Sequence, residues 1–250
     1  MFQSISSNVV DSVVPANLRG PNNEWVAIAK RSRVMYYNPL TVSAEEMENL
    51  AYEDLSDAKW IGRIAIRSSG NMYNQSLVSS LISNNGVANT EAWAHRFVGN
   101  FARKPEGNDR AQIMAVANGE ADIAIANSYY IGLMLSGKKG DEQRAAARKV
   151  NLHFPSQAGR GAHINVSGAG LMKNSPNKAN AVKFIEFLLS DKAQEHIVNN
   201  TYEYPLSANV APSDLIAQFG TGFKEDQTSV ADYGKFNPEA VKLMDRVGWQ

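Results

Sequence analysis

Tyr129 and Tyr130 are neighbouring phenols that stand where a predicted strand passes into a helix. Residues 123–126 alternate isoleucine with alanine, which is typical of a short buried strand, and Asn127-Ser128 are residues that favour helix capping. In an α/β protein, such a turn lies at the carboxyl edge of the sheet, where ligands bind. The plainer alternative is that one ring packs inward and the other covers the surface.

A third tyrosine has the same local setting. Residues 63–67 predict another short strand, residues 68–71 (Ser-Ser-Gly-Asn) predict a turn, and Tyr73 opens a helix expected over residues 74–83. Two strand-turn-helix units would therefore bring Tyr73, Tyr129 and Tyr130 to one edge of the sheet.

Three phenol oxygens in one place indicate a hard, highly charged cation. A phenol keeps its proton up to about pH 10, so binding at neutral pH needs a metal charge large enough to displace it. Ferric ion meets this requirement, and three phenolates would cancel its charge. Calcium and magnesium prefer carboxylates, carbonyls and water, while zinc prefers thiolate and imidazole. The chain has no cysteine and no pair of histidines spaced for zinc.

The sequence around these tyrosines resembles a known family. The resemblance is carried by residues 66–77 (IRSSGNMYNQSL), 108–109 (ND) and 122–130 (DIAIANSYY), and it extends to residues 30–34 and 202–205. These segments closely resemble the ferric-iron-binding proteins of bacterial ABC transporters, above all the cyanobacterial type with a tyrosine at the Tyr73 position. The resemblance implies a periplasmic monomer that delivers ferric ion to an inner-membrane permease and is not an enzyme.

The resemblance assigns roles only where residues match. It implies that Tyr73, Tyr129 and Tyr130 bind the iron and that Arg33 lies beside the metal without binding it. The family's other protein ligands come from a first strand that matches no part of this chain, and Met1 resembles an internal position. We therefore expect no export signal and an incomplete first lobe. We also expect exposed apolar strand edges and weaker iron binding than in a full-length relative.

Length and composition set the outer limits. The 250 residues carry 25 basic and 25 acidic side chains, and this balance argues against a nucleic-acid partner.

The expected fold class is α/β, with two lobes of the periplasmic-binding-protein type II fold around a hinged cleft. Residues 1–36 and 161–210 are assigned to the first lobe, which is incomplete. Residues 37–160 and 211–250 are assigned to the second.

Three expectations concern the strand that leads into the second lobe. The basic cluster of residues 30–33 follows one apolar run and precedes another, so Lys30 and Arg31 are expected in a solvated loop. Tyr36 and Tyr37 fall inside a strand, where alternation sends one ring to each face and prevents a joint site. Residues 25–37 and 162–172 are expected to form a pair of crossings between the lobes.

Two further expectations concern other segments. Residues 1–24 are predicted to form a surface segment, because they mix polar residues with turn formers. Asp109 is predicted to cap a helix over residues 110–118.

Two other classes of function stay open. A binder of phosphate or sulfate on helix amino termini is favoured by Ser68-Ser69-Gly70 and would bind without metal. A hydrolase is the weakest of the three, because the sequence has no Gly-x-Ser-x-Gly nucleophile elbow. Ferric-ion capture predicts a coloured phenolate complex and no turnover.

Overall fold

Strands and helices alternate along most of the chain in the computed structural model, which describes residues Met1 to Gln250. The strands are β1 (Phe2–Gln3), β2 (Trp25–Tyr37), β3 (Ile64–Ala65), β4 (Ile123–Asn127), β5 (Asn151–His153) and β6 (Ile164–Met172). The α-helices are α1 (Asn8–Val13), α2 (Ala44–Met47), α3 (Met72–Asn85), α4 (Val87–Val98), α5 (Asp109–Ala117), α6 (Tyr129–Leu135), α7 (Asp141–Ala147), α8 (Lys178–Leu188), α9 (Asp191–Thr201), α10 (Asp214–Ala217) and α11 (Val230–Arg246). No helix is long and apolar enough to cross a membrane.

The long strand β2 lies at the centre of the sheet. The strand order is β1-β6-β2-β4-β3, and β5 also pairs with β2. Residues 25–32 of β2 pair antiparallel with β6, and residues 33–37 pair antiparallel with β4. The two long β segments that were expected to cross between the lobes are thus hydrogen-bonded to each other. In addition, β3 and β4 run parallel, so that both end at the same edge of the sheet.

The basic cluster is part of β2 and not a loop. The predicted solvated loop at Lys30 and Arg31 is wrong, since the strand runs unbroken through both residues. Lys30 forms an ion pair with Glu225 at 2.7 Å, and Arg31 forms one with Glu203 at 3.1 Å. Because acidic partners from distant parts of the chain neutralise both charges, the strand continues across the cluster with these side chains largely buried.

The sheet around β4 has a hydrophobic core on each face. Tyr36 and Tyr37 pack into different cores, which confirms the alternation predicted for this pair. The core on the Tyr37 side includes Met35, Trp60, Ile64, Leu77, Phe97 and Trp249. The core on the Tyr36 side includes Val34, Ile113, Ala124, Ile131, Tyr202 and Tyr204.

The first 24 residues do not form the surface segment that was predicted. Apolar side chains of α1 and of the turns before and after it face the same side of the segment. This side packs against β2, β6 and α8 in a third core, which contains Ile5, Val10, Val14, Leu18, Val26, Ile164, Ile185 and Leu189. The outer side of α8 carries Phe184 and Phe187, which are 60% and 52% exposed.

The carboxyl-terminal tail packs against the helix that carries Tyr73. Helix α11 lies along α3, and Trp249 is buried just beyond its end. The indole N–H of Trp249 donates to the backbone carbonyl of Arg67 at 2.9 Å. Since Arg67 begins the turn that leads into α3, the tail helps to fix the backbone before Tyr73.

Candidate metal centre

Two strand-turn-helix units meet at one edge of the sheet. The parallel strands β3 and β4 end side by side, and α3 and α6 begin at that edge. Tyr73 is the second residue of α3, while Tyr129 and Tyr130 are the first two residues of α6. The hydroxyls of Tyr73 and Tyr129 are 3.4 Å apart, and the ring centres of Tyr129 and Tyr130 are 4.2 Å apart. The structure thus brings together the three phenols that the sequence singled out.

The turn before Tyr73 is fixed by side-chain hydrogen bonds. The side-chain oxygen of Asn71 accepts from the backbone N–H of Tyr73 at 3.2 Å and of Asn74 at 3.3 Å. The side-chain amide of Asn74 donates to the backbone carbonyls of Arg67 and Ser68 at 2.8 Å and 3.2 Å. Because Asn71 occupies N–H groups that an anion would need, this helix end is a poor oxyanion site.

The turn before Tyr129 makes contacts other than those predicted. Asn127-Ser128 were expected to cap the helix, but no side-chain cap forms at α6. The Ser128 hydroxyl accepts from the backbone N–H of Ser32 at 3.2 Å, and the side-chain oxygen of Asn127 accepts from Arg33 at 3.1 Å. Both residues therefore tie this turn to β2, which lies beside β4 and competes with the helix for their oxygens.

Burial favours the protonated form of the two phenols on α6. It raises the pKa of Tyr129, and the neighbouring phenols of Tyr130 and Tyr73 raise it further. Burial also raises the pKa of Tyr130, and the negative charge of Asp109 acts in the same direction. A cation that binds these oxygens as phenolates must therefore displace protons.

Arg33 is the buried cation of this site, with 1% of its side chain exposed. Its guanidinium donates to the carboxylate of Asp109, to the side chain of Asn127 at 3.1 Å and to that of Asn74 at 2.7 Å. The guanidinium carbon lies 5.7 Å from the centre of the Tyr73 ring. Since Asn74 and Asn127 belong to different turns, Arg33 links the two units that carry the phenols.

Asp109 has a role that sequence reasoning missed. It was expected to cap α5, but Asn108 takes the cap position, which leaves Asp109 buried inside the site. Its carboxylate accepts from Arg33, from Arg67 at 2.7 Å and from the backbone N–H of Asn127 at 3.1 Å. Burial alone would raise the pKa of Asp109, but the charges of Arg33 and Arg67 hold it below its ordinary value. The sequence did contain a signal for this role. Asn108 can itself cap the helix, which leaves the carboxylate of Asp109 free for another partner.

One carboxylate therefore serves two guanidinium groups. Arg33 and Arg67 carry two positive charges, and Asp109 cancels only one of them. The surplus positive charge lies beside the phenols. A positive potential of this kind favours phenolate over phenol and attracts anions to the same place.

A long central strand that joins two parts of a sheet, with phenols gathered at a sheet edge, defines a two-lobe solute-binding protein of mixed α/β type. Residues 1–218 match the family described as bacterial extracellular solute-binding protein. The chain belongs to this family.

Similar proteins cover the whole chain. Iron uptake protein A1 of Synechocystis sp. is 48% identical over 250 residues, which are 100% of this chain and 68% of that protein. The solved structure of Trichodesmium IdiA (FutA) in complex with iron and citrate ligands has a TM-score of 0.96 and 50% identity, over 100% of this chain and 78% of the other. A ferric binding protein from Campylobacter jejuni has a TM-score of 0.91 and 38% identity, with coverages of 100% and 78%.

Proposed function

We propose that this chain is the ferric-ion-binding component of an iron ABC transporter, with the metal held by the phenolates of Tyr73, Tyr129 and Tyr130. The observation that carries the proposal is the meeting of three phenols at one sheet edge. The 3.4 Å between the hydroxyls of Tyr73 and Tyr129 is short enough for one metal ion to contact both oxygens. The similar proteins named above include an iron uptake protein and a ferric binding protein, which supports the same metal.

Charge balance favours a trivalent ion at these oxygens. Three phenolates cancel the charge of ferric ion, so the complex adds no net charge to a partly buried site. A divalent ion would leave one phenolate charge without compensation. The surplus positive charge of Arg33 and Arg67 over Asp109 would stabilise the phenolates and draw an anion to the coordination positions that the tyrosines leave open.

The same proposal assigns the lobes and the partner. Residues 1–36 and 161–210 belong to the first lobe, and residues 37–160 and 211–250 belong to the second, which holds all three tyrosines. Hinge closure around the ion would produce the form that an inner-membrane permease recognises. In this arrangement the chain works as a periplasmic monomer that carries ferric ion and catalyses no reaction.

Titration with ferric ion tests this proposal against the oxyanion alternative. Ferric ion supplied as a citrate complex should produce a visible phenolate charge-transfer band that saturates with the chain. Gallium, which has the same charge but gives no such colour, should compete for the site. Phosphate or sulfate in a metal-free buffer that contains a chelator should show no saturable binding. Saturable binding of these anions without metal, together with no band on ferric addition, would replace the iron proposal by the oxyanion one.

A further inference from the structure

A second arginine lies against the ring of Tyr73. Arg31 is two residues before Arg33 on β2, so both side chains leave the same face of the strand. Their guanidinium carbons are 5.5 Å and 5.7 Å from the centre of the Tyr73 ring. Arg33 is tied to the buried Asp109, whereas Arg31 is held by a separate set of partners.

The partners of Arg31 come from β6 and from the segment after α9. A terminal nitrogen of Arg31 donates to the Ser167 hydroxyl at 2.9 Å and to the Glu203 carboxylate at 3.1 Å. The Ser167 hydroxyl donates to the same carboxylate oxygen at 2.8 Å. The side chains of Arg31 and Glu203 are only 11% and 10% exposed, and Nε of Arg31 is buried without a hydrogen-bond partner. The guanidinium therefore lies beside Tyr73 even though its Nε–H makes no hydrogen bond there.

From these contacts we propose that Arg31 is a positioning residue for iron binding. Its charge stabilises the phenolate of Tyr73, and Glu203 sets how much of that charge the ring experiences. The inference rests on the proposed function, because it assigns roles relative to iron bound at Tyr73. It also links the ligand to β6 and to the end of α9, the elements that hold Arg31 in place.

The sign of each effect follows from the charges. A guanidinium close to an aromatic ring attracts its electrons, and the attraction grows when the phenol becomes a phenolate. It is strong here because the ion pair is largely removed from water. Glu203 opposes it, since its carboxylate offsets the charge of Arg31. Loss of the Arg31 charge should therefore weaken iron binding, and loss of the Glu203 charge should strengthen it. If the ion pair had a purely structural role, both losses would weaken iron binding.

Three substitutions in the full chain test this. Arg31→Gln should weaken ferric binding about tenfold in competition with a chelator, because the desolvated cation beside the ring is lost. It should also move the charge-transfer band to longer wavelength, since the phenolate electrons are then held less tightly. Glu203→Gln should strengthen binding and move the band to shorter wavelength. Arg31→Lys should restore most of the affinity that Arg31→Gln loses.

The neighbouring ion pair provides matched controls. Lys30 lies on the opposite face of β2 and pairs with Glu225 at 2.7 Å. Lys30→Gln and Glu225→Gln should leave both the affinity and the band unchanged. If Arg31→Gln and Glu203→Gln both weaken binding without moving the band, Arg31 has only a structural role and the inference is wrong.

A measurement on the metal-free chain separates this inference from the proposed function. The guanidinium resonances of Arg31 should carry a ring-current shift in nuclear magnetic resonance spectra, and Tyr73→Leu should remove it. A shift that Tyr73→Leu leaves in place would refute the contact itself. If the shift behaves as expected but no variant binds iron, the proposed function fails. If iron binds but the Arg31 and Glu203 variants match the unmodified chain, only this inference fails.

Discussion

The chain contains two pairs of adjacent tyrosines, and they are used in different ways. Tyr36 and Tyr37 lie in β2 and are buried in cores on opposite faces of the sheet. Tyr129 and Tyr130 open α6, keep part of their surface exposed, and have ring centres 4.2 Å apart. The same dipeptide therefore supplies core packing in one place and two proposed metal ligands in the other.

The difference follows from backbone geometry. Consecutive side chains in a strand point to opposite faces, whereas consecutive residues at the start of a helix are turned by only about 100° and can lean toward a common point. Hydrogen bonding reinforces the contrast. The Tyr36 hydroxyl donates to the backbone carbonyl of Asn127 at 3.0 Å, so this phenol is committed to holding the turn before Tyr129. The strand pair thus supports the candidate site, to which the helix pair contributes two of the three phenols.

The largest expected effect comes from substitution of each pair in turn. Tyr129→Phe with Tyr130→Phe removes two of the three proposed phenolates and should lower ferric affinity by at least about hundredfold, measured by competition with a chelator. Tyr36→Phe with Tyr37→Phe removes one hydrogen bond that holds the turn before Tyr129, and it should lower the affinity by no more than about tenfold. Equal losses in the two double variants would mean that affinity follows the integrity of the fold and not the proposed ligands.

Acid should release the ion steeply. Burial raises the pKa of Tyr129 and of Tyr130, so both must lose a proton when the metal binds. With three phenolates, the logarithm of the affinity should fall by up to about 3 for each unit of pH lost. Iron competition at several pH values from neutrality to mild acid measures this slope. The Tyr36 and Tyr37 double variant should share it, and a flat profile would rule out three phenolate ligands.

Acid should also weaken the fold, through a group outside the phenols. Burial lowers the pKa of His163 to about 3, and the nearby charge of Arg33 adds to the effect. The unfolded chain then binds a proton that the folded chain does not, so stability is intact above about pH 6.5 and is lost as the pH falls toward about 3. His163→Gln should reduce the pH dependence of urea unfolding and leave the slope of iron release unchanged. A variant that loses both dependences would show that iron release follows unfolding.

The smallest expected effect separates the two members of the strand pair. Tyr36→Phe removes the buried hydrogen bond to the carbonyl of Asn127, and it should cost about 1 kcal/mol of unfolding free energy. Tyr37→Phe should cost less, because its hydroxyl only accepts from the partly buried side chain of Asn151 at 3.3 Å. Urea unfolding of the single variants measures the difference. A reversed order would contradict the role given to Tyr36.

The sequence predicted the phenol-bearing units because their signals are local. Alternation of apolar residues identifies β4, and a Ser-Ser-Gly-Asn turn between two periodic segments places Tyr73 at the start of a helix. Both signals depend on residues close in the chain. For the same reason, the alternation rule correctly kept Tyr36 and Tyr37 out of the candidate site.

The charged surroundings could not be predicted in this way. Arg31 looked like part of a solvated loop, because its acidic partner Glu203 is far away in sequence and becomes a neighbour only after folding. Asp109 looked like a helix cap because it stands at the start of a helix. Its actual partner, the buried guanidinium of Arg33, lies on β2 and is far from it in sequence. Local propensity predicts that a polar side chain bonds to the backbone near it in sequence. In the folded chain, ion pairs between distant residues determine its actual partner.

The most direct test of the central claim is the visible spectrum of the ferric complex after Tyr73, Tyr129 and Tyr130 are all changed to phenylalanine. In the proposed complex, three phenolates bound to ferric ion produce the charge-transfer band. The triple variant should therefore show no band at any ferric concentration, while its fold should be unchanged. The chain with phenylalanine at Tyr36 and Tyr37 should keep the full band. A triple variant that retains the band would show that other residues hold the iron.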